Sequence, residues 1–324
     1  MRKRKLRWLG AIGLVAVLIL VPLLAACASA EEEALPLAEE VATVTAENCS
    51  TCHNDTTLIV SKKLQWEQSG HATGGAYARG TRASCAGCHS SEGFTARIAV
   101  GLDPDEVEAG IPNPTPQNCR TCHQIHTTYT KADFALKTTS PVTLFVSEET
   151  FDMGDGNLCA SCHQPRGAAP EVGGGDVEVT STHWGPHYGT QSATLLGIGG
   201  YGAAGSPSAH YQLVSDGCPV CHMGPDKGHT LEAKTAACQS CHAELDTFDR
   251  NGVQTEVQAL IDELEELLEA KGLLHDGHPV VGEYSEEEAG ALWNYRFVTP
   301  DGSLGVHNSA YTKALLQTAI DALK

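Results

Sequence analysis

The sequence predicts a mostly α-helical chain with much irregular loop, and three observations predict it. A five-residue pattern, two cysteines three positions apart followed at once by histidine, occurs six times. Aromatic residues are only 6% of the 324 residues, few for an ordinary core of this size, and glycine- and proline-rich stretches separate the repeats. Sustained helical spacing begins only after His242, at Val253, Val257, Leu260, Ile261, Leu264, Leu267 and Leu268, with Gly272 as the expected stop.

The repeats carry the chemistry. They are Cys49, Cys52 and His53; Cys85, Cys88 and His89; Cys119, Cys122 and His123; Cys159, Cys162 and His163; Cys218, Cys221 and His222; and Cys238, Cys241 and His242. Two thiols at this spacing can add to the vinyl groups of one porphyrin, which carries the adjoining imidazole under the iron, as in c-type haem attachment. Zinc sites and redox dithiols use the same cysteine spacing. Six copies that all end in histidine, and that consume twelve of the thirteen cysteines, point instead to six covalently bound haem c groups. Porphyrin then supplies the interior that the composition lacks, and protein without haem is expected to be unfolded or nearly so.

The thirteenth cysteine has its own setting. Arg2, Lys3, Arg4, Lys5 and Arg7 precede an apolar run from Leu9 to Leu24, which ends in Leu24-Ala25-Ala26-Cys27. A basic head, an apolar middle and small residues describe an export signal over residues 1–26. Its end resembles a bacterial lipobox, which implies Cys27 as a lipidated first residue that attaches the mature chain to a membrane. Cleavage without lipid and retention as a single anchor are the alternatives. All three place the remainder outside the cytoplasmic membrane, in the periplasm or at the cell surface. Residues 27–46, with Glu31, Glu32, Glu33 and Pro36, read as an acidic tether. A haem-binding domain over 47–250 and a helical segment over 251–324 follow. Losing the five basic signal residues takes the formal charge from −19 to −24. Such a field excludes nucleic acid as a partner and would steer a basic redox protein.

Each iron needs a second axial ligand from elsewhere in the chain. Beyond the six motif histidines stand His71, His126, His183, His187, His210, His229, His275, His278 and His307, enough to fill every such position. His71 follows the first motif. His126 lies three positions after His123; if that turn is helical the two rings share a face, so His126 is expected to serve a neighbouring iron. Either His183 or His187 is expected to ligate, as are His210 and His229. Met153 is an alternative axial ligand. The segment Ala132 to Val146 favours an extended strand, the only substantial one expected. Ser285 and Glu288 form a capping box, Pro300-Asp301-Gly302 a turn, and Asn308 a cap for a last helix, with His307 at its mouth. These C-terminal helices read as a packing or dimerisation unit.

Three segments outside the motifs carry a resemblance: Cys122 to Tyr129, Cys221-His222-Met223 with Gly228-His229-Thr230, and Asp301 to Asn308. From about Glu47 to its end the chain resembles bacterial multihaem cytochromes c. The third segment and its helices are similar to the C-terminal part of ammonia-forming cytochrome c nitrite reductases and related octahaem enzymes. The resemblance implies a multihaem cytochrome c architecture with a haem-packed core, His307 as an iron ligand, and His187 in preference to His183. Unlike those nitrite reductases, no motif here ends in lysine. The function expected is electron transfer along six mostly bis-histidine haems, from a quinol-side donor to a partner reductase or external acceptor, with no catalytic residue. The alternative is an enzyme reducing nitrite, hydroxylamine or a sulfur oxyanion at one open haem, with His275 and His278 as pocket residues.

Overall fold

The computed structural model describes residues 46–54 and 57–324, which fall within one compact unit. The expected signal segment, Cys27 and the tether up to residue 45 lie outside the described residues. Among the described residues no helix is long and apolar enough to cross a membrane.

The motifs sit on short helical turns: Ala46–Cys52, Ala83–His89, Cys119–Cys122, Gly156–Ala160, Cys218–His222 and Thr235–Cys238. Helices of four to seven residues are not stable on propensity alone, so local devices set them. Asn118 and Thr121 form a capping box ahead of the third, and Pro219 occupies the first turn of the fifth. Four motifs close on themselves in the same way: His53, His123, His163 and His242 donate their backbone N–H to the carbonyl of the first cysteine of their own motif, at 2.7–2.9 Å. One helical turn thus gathers two sulfurs and an imidazole on one side.

The expected strand over Ala132 to Val146 does not form as such. Lys131–Phe134 is a 3-10 turn, Leu136 makes an isolated bridge to His123, and Val142–Thr143 pairs with Thr150–Phe151. The cause is local competition. The Thr130 hydroxyl accepts from the Ala132 N–H, and the Asp133 and Ala135 amides donate to the carbonyls of Thr130 and Ala132, taking groups a ladder needs. Pro141 has no N–H to offer. Two further ribbons join Val177–Val179 to Gly282–Tyr284 and Leu274–His275 to His278–Pro279.

The aliphatic core is unevenly placed. Helix Val253–Ala270 buries Val257, Ile261, Leu264 and Leu268 on one stripe, helix Glu286–Val298 is buried from Ala289 onward, and helix Ser309–Leu323 contributes Leu315, Leu316, Ala319 and Ile320. Val179, Ala193 and Tyr201, from the cysteine-free stretch after the fourth motif, pack into the same cluster. The helix ends are set as their residues demand. Ser285 and Glu288 cap each other's amides, Asn308 accepts from the Tyr311 N–H, and Gly272 takes φ 73° as Leu273 donates to Leu268 at 2.9 Å. Met153 is packed with Leu144, Phe151, Leu195 and Leu196, so this side chain is core. Before residue 142 the described chain buries only Ala86 and Phe94 among its hydrophobic residues, and none is buried between Tyr201 and Val257. Those two stretches carry motifs one, two, three, five and six.

Asparagines join the loops to the helices. Asn294, fully buried, accepts from the Tyr201 N–H at 2.7 Å and donates to the carbonyls of Tyr201 and Leu315 at 3.0 Å. Asn308 donates to the carbonyls of Thr194 and Ser206. Gly290 has no room for a side chain, since a β-carbon there would lie 2.1 Å from the Tyr201 ring.

Candidate haem-binding centres

Every motif histidine faces one other histidine, and no partner is shared. The ring centres lie 6.0 Å apart for His53 and His126, 5.9 Å for His89 and His187, and 6.2 Å for His123 and His229. The others are His163 with His71 at 6.1 Å, His222 with His307 at 6.3 Å, and His242 with His210 at 6.4 Å. A metal ion about 2 Å from each ring nitrogen, with about 1.1 Å more from nitrogen to ring centre, separates two trans imidazoles by about 6 Å. Each pair therefore has room for a single iron between its rings. The six loop histidines are the ones put forward from the sequence, but their partners cross the chain rather than serving the nearest motif.

Hydrogen bonding fixes the tautomers. The Nδ1–H groups of His123, His210, His222 and His229 donate to the carbonyls of Phe134, Val306, Leu231 and Lys227, at 2.7–3.0 Å. His163 pairs with Gln191 Oε1 at 3.2 Å, and His307 with Asp301 Oδ1 at 2.8 Å. A carbonyl or carboxylate oxygen only accepts, so the proton sits on Nδ1 and the lone pair on Nε2. Metal-ligating histidines are held in this way. The His229 N–H donates to the Gln65 side chain at 2.9 Å, which places that loop from a segment far away in sequence.

The backbone is strained at two of the loop histidines. His126 has φ 65° and His187 φ 74°, in the left-handed region that residues with a β-carbon avoid. The helical turn expected to join His123 and His126 is absent. The Cys119–Cys122 helix ends at His123, which is extended at φ −111° and ψ 157°, and His126 is thrown the other way, toward His53.

Electrostatics favour neutral rings. Burial, and then the charge of its facing partner, push His71 and His187 down to about 4. Burial also lowers His89, His163 and His229. The His163 ring is open to solvent and yet surrounded by protein, as expected of a side chain lining a slot. Neutral imidazole is the form that ligates a metal. His307 differs: burial pushes it down, but the charge and hydrogen bond of Asp301 outweigh this and raise it. Asp301 also accepts from the Ser303 hydroxyl. The guanidinium groups of Arg79 and Arg166 lie close enough to lower both His89 and His187. That positive charge suits an acidic cofactor edge such as a porphyrin propionate.

The motifs also touch one another. The fourth motif abuts the second, where Arg97 joins Gly87 to Ser161, and the fifth, where the Cys218 Sγ lies 4.0 Å from the Gly156 carbonyl. Arg97, only 5% exposed, spans the first of these contacts. It donates to the Gly87 carbonyl at 3.2 Å, the Ser161 carbonyl at 3.1 Å and the Leu102 carbonyl at 3.3 Å. Nothing in the spacing of the sequence marks Arg97 or Asp301 for these roles. Their partners are 64 and 6 residues away and belong to loops.

Three histidines face no motif. His183 faces His278 at 5.8 Å, and His275 sits beside Asp276 at the end of an exposed hairpin, so neither hairpin histidine lies in a pocket. Among the described residues no three His, Cys, Asp or Glu side chains converge on one point.

No family model and no curated protein matches this chain. Among solved structures it is similar to the outer cell wall cytochrome OcwA, with a TM-score of 0.56 and 21% identity over 80% of this chain and 50% of that one. A weaker likeness, TM-score 0.44 and 17% identity over 80% of this chain and 40% of that one, is to an undecahaem cytochrome from the S-layer of Carboxydothermus ferrireducens. The chain thus spans half or less of the length of these structures. Its fold, mainly short helices and loop with few short strands, is that of a multihaem cytochrome.

Proposed function

We propose that this protein is an exported c-type cytochrome that transfers electrons along six haems, each held by one motif and one loop histidine. The observation that carries the reading is the one-to-one pairing of all six motif histidines with His126, His187, His229, His71, His307 and His210 at 5.9–6.4 Å. The paired cysteines would attach the porphyrin covalently, and the facing imidazoles would both hold its iron. An iron with both positions filled has no vacancy for substrate, which favours conduction over reduction of a small oxyanion. The contacts of the fourth motif with the second and the fifth support the reading, since cofactors held there would be neighbours.

Export is supported by the basic and apolar N-terminus and by the outer-cell-wall setting named for OcwA. Cys27 is the proposed lipid attachment point. The partners are redox proteins on the donor and acceptor sides, with the acidic charge favouring a basic surface on at least one of them.

Electron paramagnetic resonance of the oxidised protein, with carbon monoxide added to the reduced form, tests the reading. Six low-spin haems and no adduct are expected; an adduct at one haem would make that haem an open, enzymatic centre. His126→Ala is expected to retain six attached haems and to turn one high-spin, and an unchanged spectrum would remove His126 from the ligand set. Asp301→Asn replaces a carboxylate acceptor by a neutral amide at the buried His307 Nδ1–H. The imidazole becomes a poorer electron donor, so one midpoint potential should rise by tens of millivolts while the others stay put. A redox titration in which no component moves would show that Asp301 does not tune a haem.

A further inference from the structure

The seventh histidine pair is left over when the six proposed haems have taken twelve of the fifteen histidines, and the inference rests on that reading. His183 and His278 face each other with ring centres 5.8 Å apart and planes perpendicular, and both rings are exposed. Neither adjoins a cysteine.

The two rings come from separate elements that are fixed relative to each other. His278 closes a two-residue hairpin whose tip residues, Asp276 and Gly277, both take positive φ, at 49° and 71°, the geometry of a tight twisted turn. His183 lies in the loop that also carries Tyr188, whose hydroxyl is 3.4 Å from His183 Nδ1. Arg296 joins the two. Its Nη1 donates to the Gly277 carbonyl at 3.2 Å, and its guanidinium stacks 5.3 Å from the Tyr188 ring centre. One buried cation therefore holds hairpin and loop in register, and the Tyr188 contact leaves His183 Nε2 as the free nitrogen. His275 stands directly opposite His278 in the hairpin register, on the same face.

We infer that His183 and His278 form a surface site for a divalent ion of the zinc, copper or nickel class, held between the two imidazoles and completed by water. Imidazole selects these borderline ions over magnesium or calcium. Two imidazoles that share one ion have ring centres about 5 Å apart at the tetrahedral angle and about 6 Å when opposed, and the 5.8 Å here falls between these limits. A seventh porphyrin is disfavoured: all twelve described cysteines belong to the six motifs, and two rings open to solvent offer no apolar walls for so large a ligand.

The test is calorimetric titration of the mature six-haem protein with zinc chloride at neutral pH, with haem content measured on the same samples. One zinc per chain is expected. His183→Ala and His278→Ala should each weaken binding at least about tenfold while leaving six haems and an unchanged low-spin spectrum. Equal affinity in both variants, no binding to the parent protein, or a seventh haem would overturn the site. A high-spin haem in His183→Ala would also overturn it, by making His183 an iron ligand. A parent protein with fewer than six haems would instead count against the electron-transfer reading, so the two failures are distinguishable.

Discussion

Protein prepared without haem attachment, with all twelve motif cysteines replaced by alanine, is expected to lose amide protection throughout residues 57–141 and 205–250. Ordering a residue costs roughly 1–2 kcal/mol of backbone entropy, while burying Phe94 returns about 1.5–3 kcal/mol. Within the first of these stretches Ala86 and Phe94 are the only buried hydrophobic residues, and the second has none. On the proposed function the porphyrins supply the missing apolar surface, and without them little opposes unfolding. The helices from Val253 to Leu323 have a cluster of their own and should keep part of their protection. Hydrogen exchange followed by mass spectrometry separates the segments. Uniform protection in the haem-free protein would show that polypeptide alone supports these loops.

Arg97→Leu should lower the stability of the haem-loaded protein by about 2–5 kcal/mol. The guanidinium satisfies three carbonyls from three segments, and leucine leaves the Gly87 and Ser161 carbonyls buried without a donor. Arg97→Lys should recover only part of the loss, because an ammonium is a point charge and cannot span the three acceptors as a planar fork does. Thermal denaturation followed at the haem band reads the effect. A melting temperature unchanged in Arg97→Leu would mean that the contact between the second and fourth motifs is held by something else.

How far the architecture was legible depends on the range of the interaction. The attachment motifs are local, with spacing set by one turn of helix, and could be read directly. The caps at Ser285, Glu288 and Asn308 and the stop at Gly272 are local too, and the structure has them where the sequence puts them. The stretch from Ala132 to Val146 misled because β-branched residues advertise a strand, while Thr130 and the turn over Lys131–Phe134 had already claimed part of the backbone. Nine histidines outside the motifs were candidates for six places, with the resemblance favouring His187 and His307, and which motif each would face could not be read. His71 faces His163 although the second and third motifs lie between them in the chain, and no periodicity encodes that. Asp301 was legible only as part of a turn; its contact with His307 depends on how that turn folds back. The packing of Val179, Ala193 and Tyr201 into the C-terminal helices was likewise invisible, since these residues lie in a glycine-rich stretch without helical spacing.

The pairing of distant histidines bears on how such a molecule is made. Five of the six pairs join positions more than seventy residues apart, and His307, partner of His222, lies near the end of the chain. A polypeptide threaded through a membrane from its N-terminus presents His53 long before His126, and His222 before His307. On the proposed function, haems at His53, His89, His123 and His222 would wait half-coordinated for a ligand still in transit, whereas His163 and His242 would find His71 and His210 already across. If the chain is exported as proposed, the order of crossing sets the order in which these sites close, and the His222 site stays open until His307 has followed.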